Sequence, residues 1–441
     1  MTQDPQLVVI THGYTDSNKG DVGIALGTVT ALRQALPGAS LISHSNYSEA
    51  HVDFGTHTRM MAREGIRVVE GVLPSPYLDD EGAGSRRDAV AMLRLAYELF
   101  CLGVLWFLPG LVRLHPRKAR ALAQIRRARL IVARGGQYLH NESGRIRGTI
   151  YLARMLLNLA VPIWLHRPTV ILGLSIGPIH GAVARRLLTA TLRPCRAIFV
   201  RESRSAEFLQ TRGLGATVRV VPDLAFLTTS TRTEASRVPE RGWIGVTLVN
   251  WSFPGNRQPQ EARGAYLEAV FRTLVRCHDV FALAPLLVHQ VTVSHHGRHD
   301  RSIQDEMVER LRAHQVPAEH VTGDLTPGEL CDVFGQCRLV LASRLHTVIL
   351  AACAGTPAVA IRYQGYKTQG IMEMLGAPMA THNIDQLSVD DLLESIHLVM
   401  AQQERLRTEL REKVAGLRRQ IFGAVEEIAA MIQPPADGLV S

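Results

Sequence analysis

Short apolar runs alternate with longer stretches of helical period along most of the chain. Leu7–Ile10 reads as a strand, a polar loop follows, and Val22–Leu36 carries the apolar spacing of a helix. Further strands are expected at Arg67–Val69, Leu130–Ala133, Val170–Leu174, Ala197–Val200 and Val218–Val221, with helices between most of them. A polar, Pro- and Arg-containing stretch from Thr228 to Arg241 reads as a linker. Beyond it the pattern restarts, with strands predicted at Ile244–Leu248, Val280–Ala284, Leu339–Ala342 and Ala358–Ile361. Helices are predicted at Tyr266–Cys277, Gln304–His314, Thr347–Ala354, Gln369–Leu375 and Asp390–Met400. Short β-branched strands separated by helices indicate parallel sheets covered on both faces. The expected fold class is α/β, two Rossmann-like domains facing a cleft, with the chemistry at the carboxyl ends of the strands. The domains are expected at residues 1–230 and 240–400, with a C-terminal helix and tail at 401–441. Within that tail Glu404–Ile432 is amphipathic and long enough to fold back across the first domain.

One segment interrupts the alternation. Leu95–Val112 is strongly apolar, and the chain from Arg113 to Arg129 that follows is rich in arginine, so residues 85–128 form an apolar and basic insert. Glu98 and Pro109 make it a poor transmembrane helix. It is expected either to dip into an anionic leaflet with its basic residues at the headgroups, or to be a buried helix or subunit contact.

Composition narrows the function classes. A chain of 441 residues with 46% hydrophobic positions and no fixed-period repeat has material for two cores. The formal charge of +9 is carried almost wholly by arginine, because lysine occurs only at Lys19, Lys118, Lys367 and Lys413. Neither an RNP-type aromatic pattern nor a zinc finger accompanies it, so the charge is assigned to anionic small molecules and a membrane surface, with no nucleic-acid partner. Six scattered cysteines without a CxxC pair, and a first segment without signal-peptide pattern, point to a cytoplasmic protein, peripheral at the inner face of the plasma membrane if the insert binds lipid.

The chemistry-bearing residues gather at predicted strand ends. Ser343-Arg344-Leu345-His346 lies between an apolar strand and a helix, where backbone amides and the helix dipole favour an anion. Arginine there can pair bidentately with phosphate or carboxylate, and histidine two residues on is suited to proton transfer near neutral pH. Lys367, after the next strand, offers a second cation beside Arg344. In the first half, Thr11-His12-Gly13, the glycine loops at Gly135-Gly136 and Ser175-Ile176-Gly177-Pro178, and the Arg201-Glu202-Ser203 and Pro222-Asp223 elements follow the same rule. Asp21 in Asn18-Lys19-Gly20-Asp21 is also explained as a helix cap, and Ser203 is placed to cap the helix after Arg201. Neither GxGxxG nor a Walker A motif is present. The run His289, His295, His296, His299 and Asp300 fits no standard zinc spacing, so it is read as a solvated loop and no metal is expected.

Taken in order, Asn18-Lys-Gly-Asp21, Gly135-Gly136, Ser175-Ile-Gly-Pro178, Arg201-Glu-Ser203, Pro222-Asp223 and Ser343-Arg-Leu-His346 resemble the polysaccharide pyruvyl transferases, over roughly Thr11 to Leu375. The resemblance implies a GT-B-like fold, phosphoenolpyruvate as co-substrate with no resident cofactor, and a sugar of a cell-surface glycan or its lipid-linked oligosaccharide precursor as acceptor. It implies that Arg344, Leu345 and His346 form the donor-binding element in the second domain, that Arg201 is a further donor-contacting arginine, and that the first domain is the acceptor side. The sequence departs from the pattern in the Leu95–Arg129 insert and in Ala133-Arg134-Gly135-Gly136, which has an arginine where an apolar approach to a Gly triplet is the rule.

Ketal formation from an enol phosphate needs a proton at the methylene carbon, two attacking hydroxyls and departure of phosphate. His346 is the expected general acid or a phosphate contact, and Asp21 or Asp223 the expected base for a hydroxyl. Two rival readings share the architecture. A GT-B nucleotide-sugar glycosyltransferase needs an acidic residue for ribose, for which Glu329 and Glu373 are poorly placed. A non-catalytic membrane-associated scaffold of glycan assembly needs only the Leu95–Val112 element.

Overall fold

The computed structural model describes residues 7–78, 85–141, 146–231, 242–254, 256–292, 300–363, 367–377 and 380–432. Most of the predicted linker, from residue 232 to 241, lies outside them, as do His295, His296 and His299 of the histidine run. Among the described residues the strands form two sheets whose ladders are all parallel. The first sheet contains β1 (Leu7–Gly13), β2 (Ser40–Ser45), β3 (Arg67–Glu70), β4 (Leu130–Ala133), β5 (Gly136–Asn141), β6 (Thr169–Ile179), β7 (Ala197–Val200) and β8 (Val218–Val220). Its order is β3-β2-β1-β4-β6-β7-β8, with β5 pairing β6. The second contains β9 (Trp243–Thr247), β10 (Ala284–Val288), β11 (Glu319–Val321), β12 (Cys337–Ala342), β13 (Ala358–Arg362) and β14 (Thr381–Asn383), in the order β11-β10-β9-β12-β13-β14. Both orders reverse beside their first strand, which is the doubly wound arrangement, and a ligand crevice forms where the order reverses.

The helices of the first half are α1 (Lys19–Ala35), α2 (Phe54–Arg63), α3 (Ser85–Phe107), α4 (Pro116–Arg127), α5 (Ile146–Trp164), α6 (Ala182–Leu192) and α7 (Ser203–Gln210). Those of the second are α8 (Pro259–Phe281), α9 (Arg301–Ala313), α10 (Pro327–Gly335), α11 (Leu345–Cys353), α12 (Lys367–Met374), α13 (Val389–Ala401) and α14 (Gln403–Ile432). All four residues of β4 are fully buried, as a strand covered on both faces requires. One apolar cluster gathers Met155, Leu174, Ile198 and Leu209; another gathers Val9, Leu122, Ile131 and Val161.

Contacts divide the chain into two compact units. The first comprises Met1–Asp16, Ile24–Leu224 and Arg419–Ser441; the second comprises Ser17–Gly23 and Ala225–Arg418. Ser17–Gly23, which includes the Asn18–Asp21 motif, thus groups with the second unit, because its backbone pairs there: Asn18 bridges Val291, and the Lys19 amide donates to Gln290 O at 3.1 Å. The end of α14 groups with the first unit, where Arg129 Nη2 donates to Ile432 O at 3.1 Å.

Three local expectations are corrected. The strand predicted at Val280–Ala284 is β10 at Ala284–Val288; Val280 and Phe281 end α8, and Ala282 reverses the chain in a left-handed conformation (φ 53°). Asp21 does not cap α1 but lies in its first turn, and Asn18 does the capping: its Oδ1 accepts the Gly20 amide at 3.2 Å and its Nδ2 donates to Asp21 Oδ2 at 2.6 Å. Ser203 is likewise the first residue of α7, and the N-cap position belongs to Glu202. The apolar insert is α3, which stops at Phe107 before Pro109. Among the described residues it is the one helix long and apolar enough to cross a membrane by length and composition.

Candidate active site

In the second unit β9 and β12 are the neighbours at which strand order reverses, and Ser343-Arg344-Leu345-His346 leaves the carboxyl end of β12 there. The turn is held from three sides. The Ser343 amide donates to Thr247 O at 3.0 Å, its hydroxyl lies 3.0 Å from the Tyr266 hydroxyl, and Thr347 Oγ1 lies 3.0 Å from Thr247 Oγ1. Burial pushes the Tyr266 phenol up to about 12, so it stays a neutral hydrogen-bonding group. Leu345 is the first residue of α11 and Arg344 its N-cap, with extended backbone and no capping side chain. The Thr347 amide closes the first turn of α11 on Arg344 O at 3.0 Å.

Arg344 is anchored by a partner that the sequence pattern does not reveal. Its guanidinium makes a bidentate ion pair with Asp300, whose carboxylate is fully buried, and its Nη1 donates to the Tyr363 hydroxyl at 3.3 Å. Tyr363 in turn packs on Trp251, ring centroids 4.9 Å apart. Burial opposes the charge on Arg344, but the Asp300 carboxylate outweighs it and holds the guanidinium pKa above its ordinary value. Burial raises Asp300, against the pull of Arg344 and the Val291 amide. One edge of the Arg344 guanidinium is thus held in a fixed place by the Asp300 carboxylate. The 44-residue separation carries no local signal, so the sequence offers Asp300 only as a neighbour of the histidine run.

The Asn18–Asp21 motif packs on this turn. A Cβ on Gly20 falls 2.0 Å from His346 Nδ1, so glycine is what lets the imidazole lie against α1. Lys19, 3% exposed, is ion-paired with Asp324. His346 and Asp21 are both half-buried, within one unit. Lys367 opens α12, half-buried, on a helix that packs against α11 and β13. A second feature escapes sequence reading: Asp305 Oδ1 lies 2.6 Å from His320 Nδ1, and His320 Nε2 lies 3.1 Å from His289 Nδ1. The three side chains thus form one hydrogen-bonded chain from Asp305 through His320 to His289. The signal was two histidines and an aspartate on three elements, none of them at motif spacing.

The first-unit candidates form a separate cluster. Arg201 Nη1 donates to Asp223 Oδ2 at 2.6 Å, and its Nε donates to Ser175 Oγ at 2.6 Å. Arg201 is 5% exposed and Asp223 fully buried, so each expected site residue is committed to the other. Ser175 belongs to β6, whose Ile176 amide is held by Ser205 Oγ at 2.9 Å, and Gly177 has a positive φ of 94°. Gly135 approaches Gly173 O so closely that a Cβ would fall 2.6 Å from it, and Gly136 opens β5. This geometry makes the Arg201–Asp223 pair a brace for the strand-end loops. Asp223→Ala, leaving a buried guanidinium unpaired, is expected to lower stability by about 3–5 kcal/mol in urea denaturation; a loss below about 1 kcal/mol would mean that the pair does not brace the loops.

One metal-type cluster lies apart from the sequence expectations: ligand atoms of His51, Asp53 and His57 fall within 4.8 Å of one another. His51 Nδ1 accepts the Asp53 amide at 3.0 Å, which places its own proton on Nε2 and leaves neither nitrogen a lone pair for an ion. The His57 ring stacks on Tyr47 at 3.9 Å, so the trio reads as packing around the start of α2.

Two doubly wound parallel sheets, in two compact units, define a protein of the GT-B architectural class. Solved structures agree in fold. HepE of Anabaena, in complex with UDP-glucose, is 12% identical with a TM-score of 0.54 over 96% of this chain and 98% of its own. An α,α-trehalose-phosphate synthase (UDP-forming) from Burkholderia vietnamiensis is 13% identical with a TM-score of 0.54 over 98% of each chain. Within that class the chain belongs to the polysaccharide pyruvyl transferase family, whose model matches residues 18–365. The amylovoran biosynthesis protein AmsJ of Erwinia amylovora is 23% identical over 266 residues, a match that spans 56% of this chain and 61% of that relative.

Proposed function

We propose that the chain transfers the pyruvyl group of phosphoenolpyruvate to a sugar of a surface polysaccharide or its lipid-linked precursor, forming a ketal and releasing phosphate. The observation that carries this reading is the Arg344–His346 turn, a fixed guanidinium and an imidazole at the start of α11, where the strand order reverses. Arg344 and the α11 amides bind the phosphate or carboxylate of the donor, with Lys367 as a further cation and Leu345 setting the turn. Protonation of the methylene carbon makes an oxocarbenium-like centre; one hydroxyl attacks it, phosphate leaves, and the second hydroxyl closes the ketal. The two hydroxyl protons balance those gained by the methyl group and by phosphate.

His346 acts as the acid or as a phosphate contact, and Asp21, half-exposed in the same unit, is better placed than buried Asp223 to take a hydroxyl proton. Arg201 acts through the loops it braces. No resident cofactor or metal takes part in this scheme. The exposed face of α3 rests on the cytoplasmic leaflet, which brings a lipid-linked acceptor to the enzyme.

Calorimetry with phosphoenolpyruvate and a panel of nucleotide sugars tests the donor. Binding of phosphoenolpyruvate alone is expected. A nucleotide sugar binding in its place would hand the chain to the glycosyltransferase reading, and silence from every ligand, with acceptor lipid present, would favour a scaffold.

A further inference from the structure

We propose that the first unit holds the phosphate of an anionic lipid in a basic pocket at the amino ends of its strands, remote along the strands from their carboxyl-end loops. The pocket, about 1090 Å³, is lined by Arg129, Trp164, His166, Arg167, Arg196 and Ile432 among others, and no lining residue is acidic. Arg129, Arg167 and Arg196 lie just before β4, β6 and β7, so three adjacent strands deliver a cation to the same edge of the sheet. Among the described residues neither Arg167 nor Arg196 has a carboxylate partner, whereas Arg120, Arg201 and Arg344 each have one. Arg167 Nε donates to Leu165 O at 3.0 Å, which fixes the guanidinium in place without neutralising it, and guanidinium groups that keep their charge suit a phosphate, which they bind bidentately.

The neighbourhood says which phosphate. Trp164, 55% exposed on the pocket wall, meets Trp106 of α3 edge to face at 6.3 Å. The α3 segment leaves Leu93, Phe100 and Phe107 exposed, Phe107 by 81%, and the chain beyond it leaves Leu108, Leu111 and Val112 exposed. An apolar surface, a pair of tryptophans and a basic pocket without acidic lining thus follow one another within one unit. That succession is what a protein seated at a bilayer interface presents: apolar groups toward the acyl region, indole at the interface, arginine at the phosphates. A free anion needs the arginines but gives the exposed indole and the α3 face no role. This site rests on the membrane reading of α3 and is independent of the pyruvyl donor.

The test is flotation of the full chain with vesicles of phosphatidylcholine alone and of phosphatidylcholine with phosphatidylglycerol, without donor present. The wild type is expected to float with the anionic vesicles, and Arg167→Gln/Arg196→Gln to bind them at least tenfold more weakly. Arg257→Gln/Arg276→Gln, which removes the same charge from exposed positions of the second unit, is expected to bind as the wild type does. Both pairs are tested for unchanged thermal unfolding. Equal loss in the two double variants would reduce the effect to net charge and overturn the pocket. Unaltered flotation of Arg167→Gln/Arg196→Gln, with loss in Phe100→Ser/Phe107→Ser, would keep α3 on the membrane and overturn the pocket. Displacement of the protein from vesicles by millimolar inorganic phosphate, at constant ionic strength, would reassign it to a soluble anion. Donor calorimetry is unaffected by any of these outcomes.

Discussion

Arg344→Ala is expected to abolish detectable phosphoenolpyruvate binding and also to weaken the fold. The first effect follows from position, since a charge-assisted bidentate contact contributes about 1.5–3 kcal/mol per hydrogen bond to a charged group. Two such contacts account for a loss of at least a hundredfold, or about 2.7 kcal/mol. The second effect follows from the partner: Asp300 is fully buried and accepts from the Nε and Nη2 of one guanidinium edge. Its orphaned carboxylate costs about 3–5 kcal/mol, so the single variant confounds binding with folding. Arg344→Ala/Asp300→Asn separates them. Calorimetry and urea denaturation together are expected to show most of the lost stability restored in the double variant and none of the lost binding. Binding that returned with stability would show Arg344 to be a structural cation, and the donor site would have to be sought elsewhere.

That outcome bears on how the site was legible in the sequence. The strand–Ser-Arg-Leu-His–helix pattern is visible because it depends on neighbours along the chain, an apolar run ended by polar residues at a helix start. The partner of its arginine is not visible, because Asp300 reaches it from a loop that carries no periodic signal. The same limit explains Arg201 and Asp223. Each obeys the rule that polar groups mark strand ends, and the rule does not say that the two ends meet and neutralise each other at 2.6 Å. The fold is read more fully than the site because doubly wound sheets repeat one local pattern. Where that pattern weakens, elements slip. The Ser40–Ser45 strand interleaves serine and histidine with two apolar residues, and nothing in it reads as a β-branched run. In Val280–Val288 an unbroken apolar stretch contains the end of α8 and all of β10, joined at Ala282 without the glycine that usually marks such a reversal. Pro285 also argues against a strand, yet β10 tolerates it, because pairing with β11 begins only at Leu286.

The Asn18–Asp21 motif shows a long-range constraint that leaves a local trace, and Gly20→Ala is the variant that reads it. A Cβ there falls 2.0 Å from His346 Nδ1 and 2.3 Å from Cγ, too close for any adjustment of α1 alone. The imidazole must turn away, and its half-buried position allows it to do so at about 0.5–1.5 kcal/mol of rotamer strain. Alanine in place of glycine within α1 returns about 1 kcal/mol of helix propensity. Stability should therefore change little, while the transfer rate should fall by about the 10²–10⁴-fold that a positioned proton-transfer group supplies. Phosphate release from phosphoenolpyruvate in the presence of acceptor measures the rate, and thermal unfolding checks the fold. The decisive comparison is Gly20→Ala in a His346→Ala background. If Gly20 acts by seating His346, the methyl group fills the space the ring has left, and the double variant is no slower than His346→Ala. A further loss in the double variant would place the function of Gly20 in the backbone of α1 itself, and full activity of Gly20→Ala would mean that the ring position seen here is not the one the reaction uses.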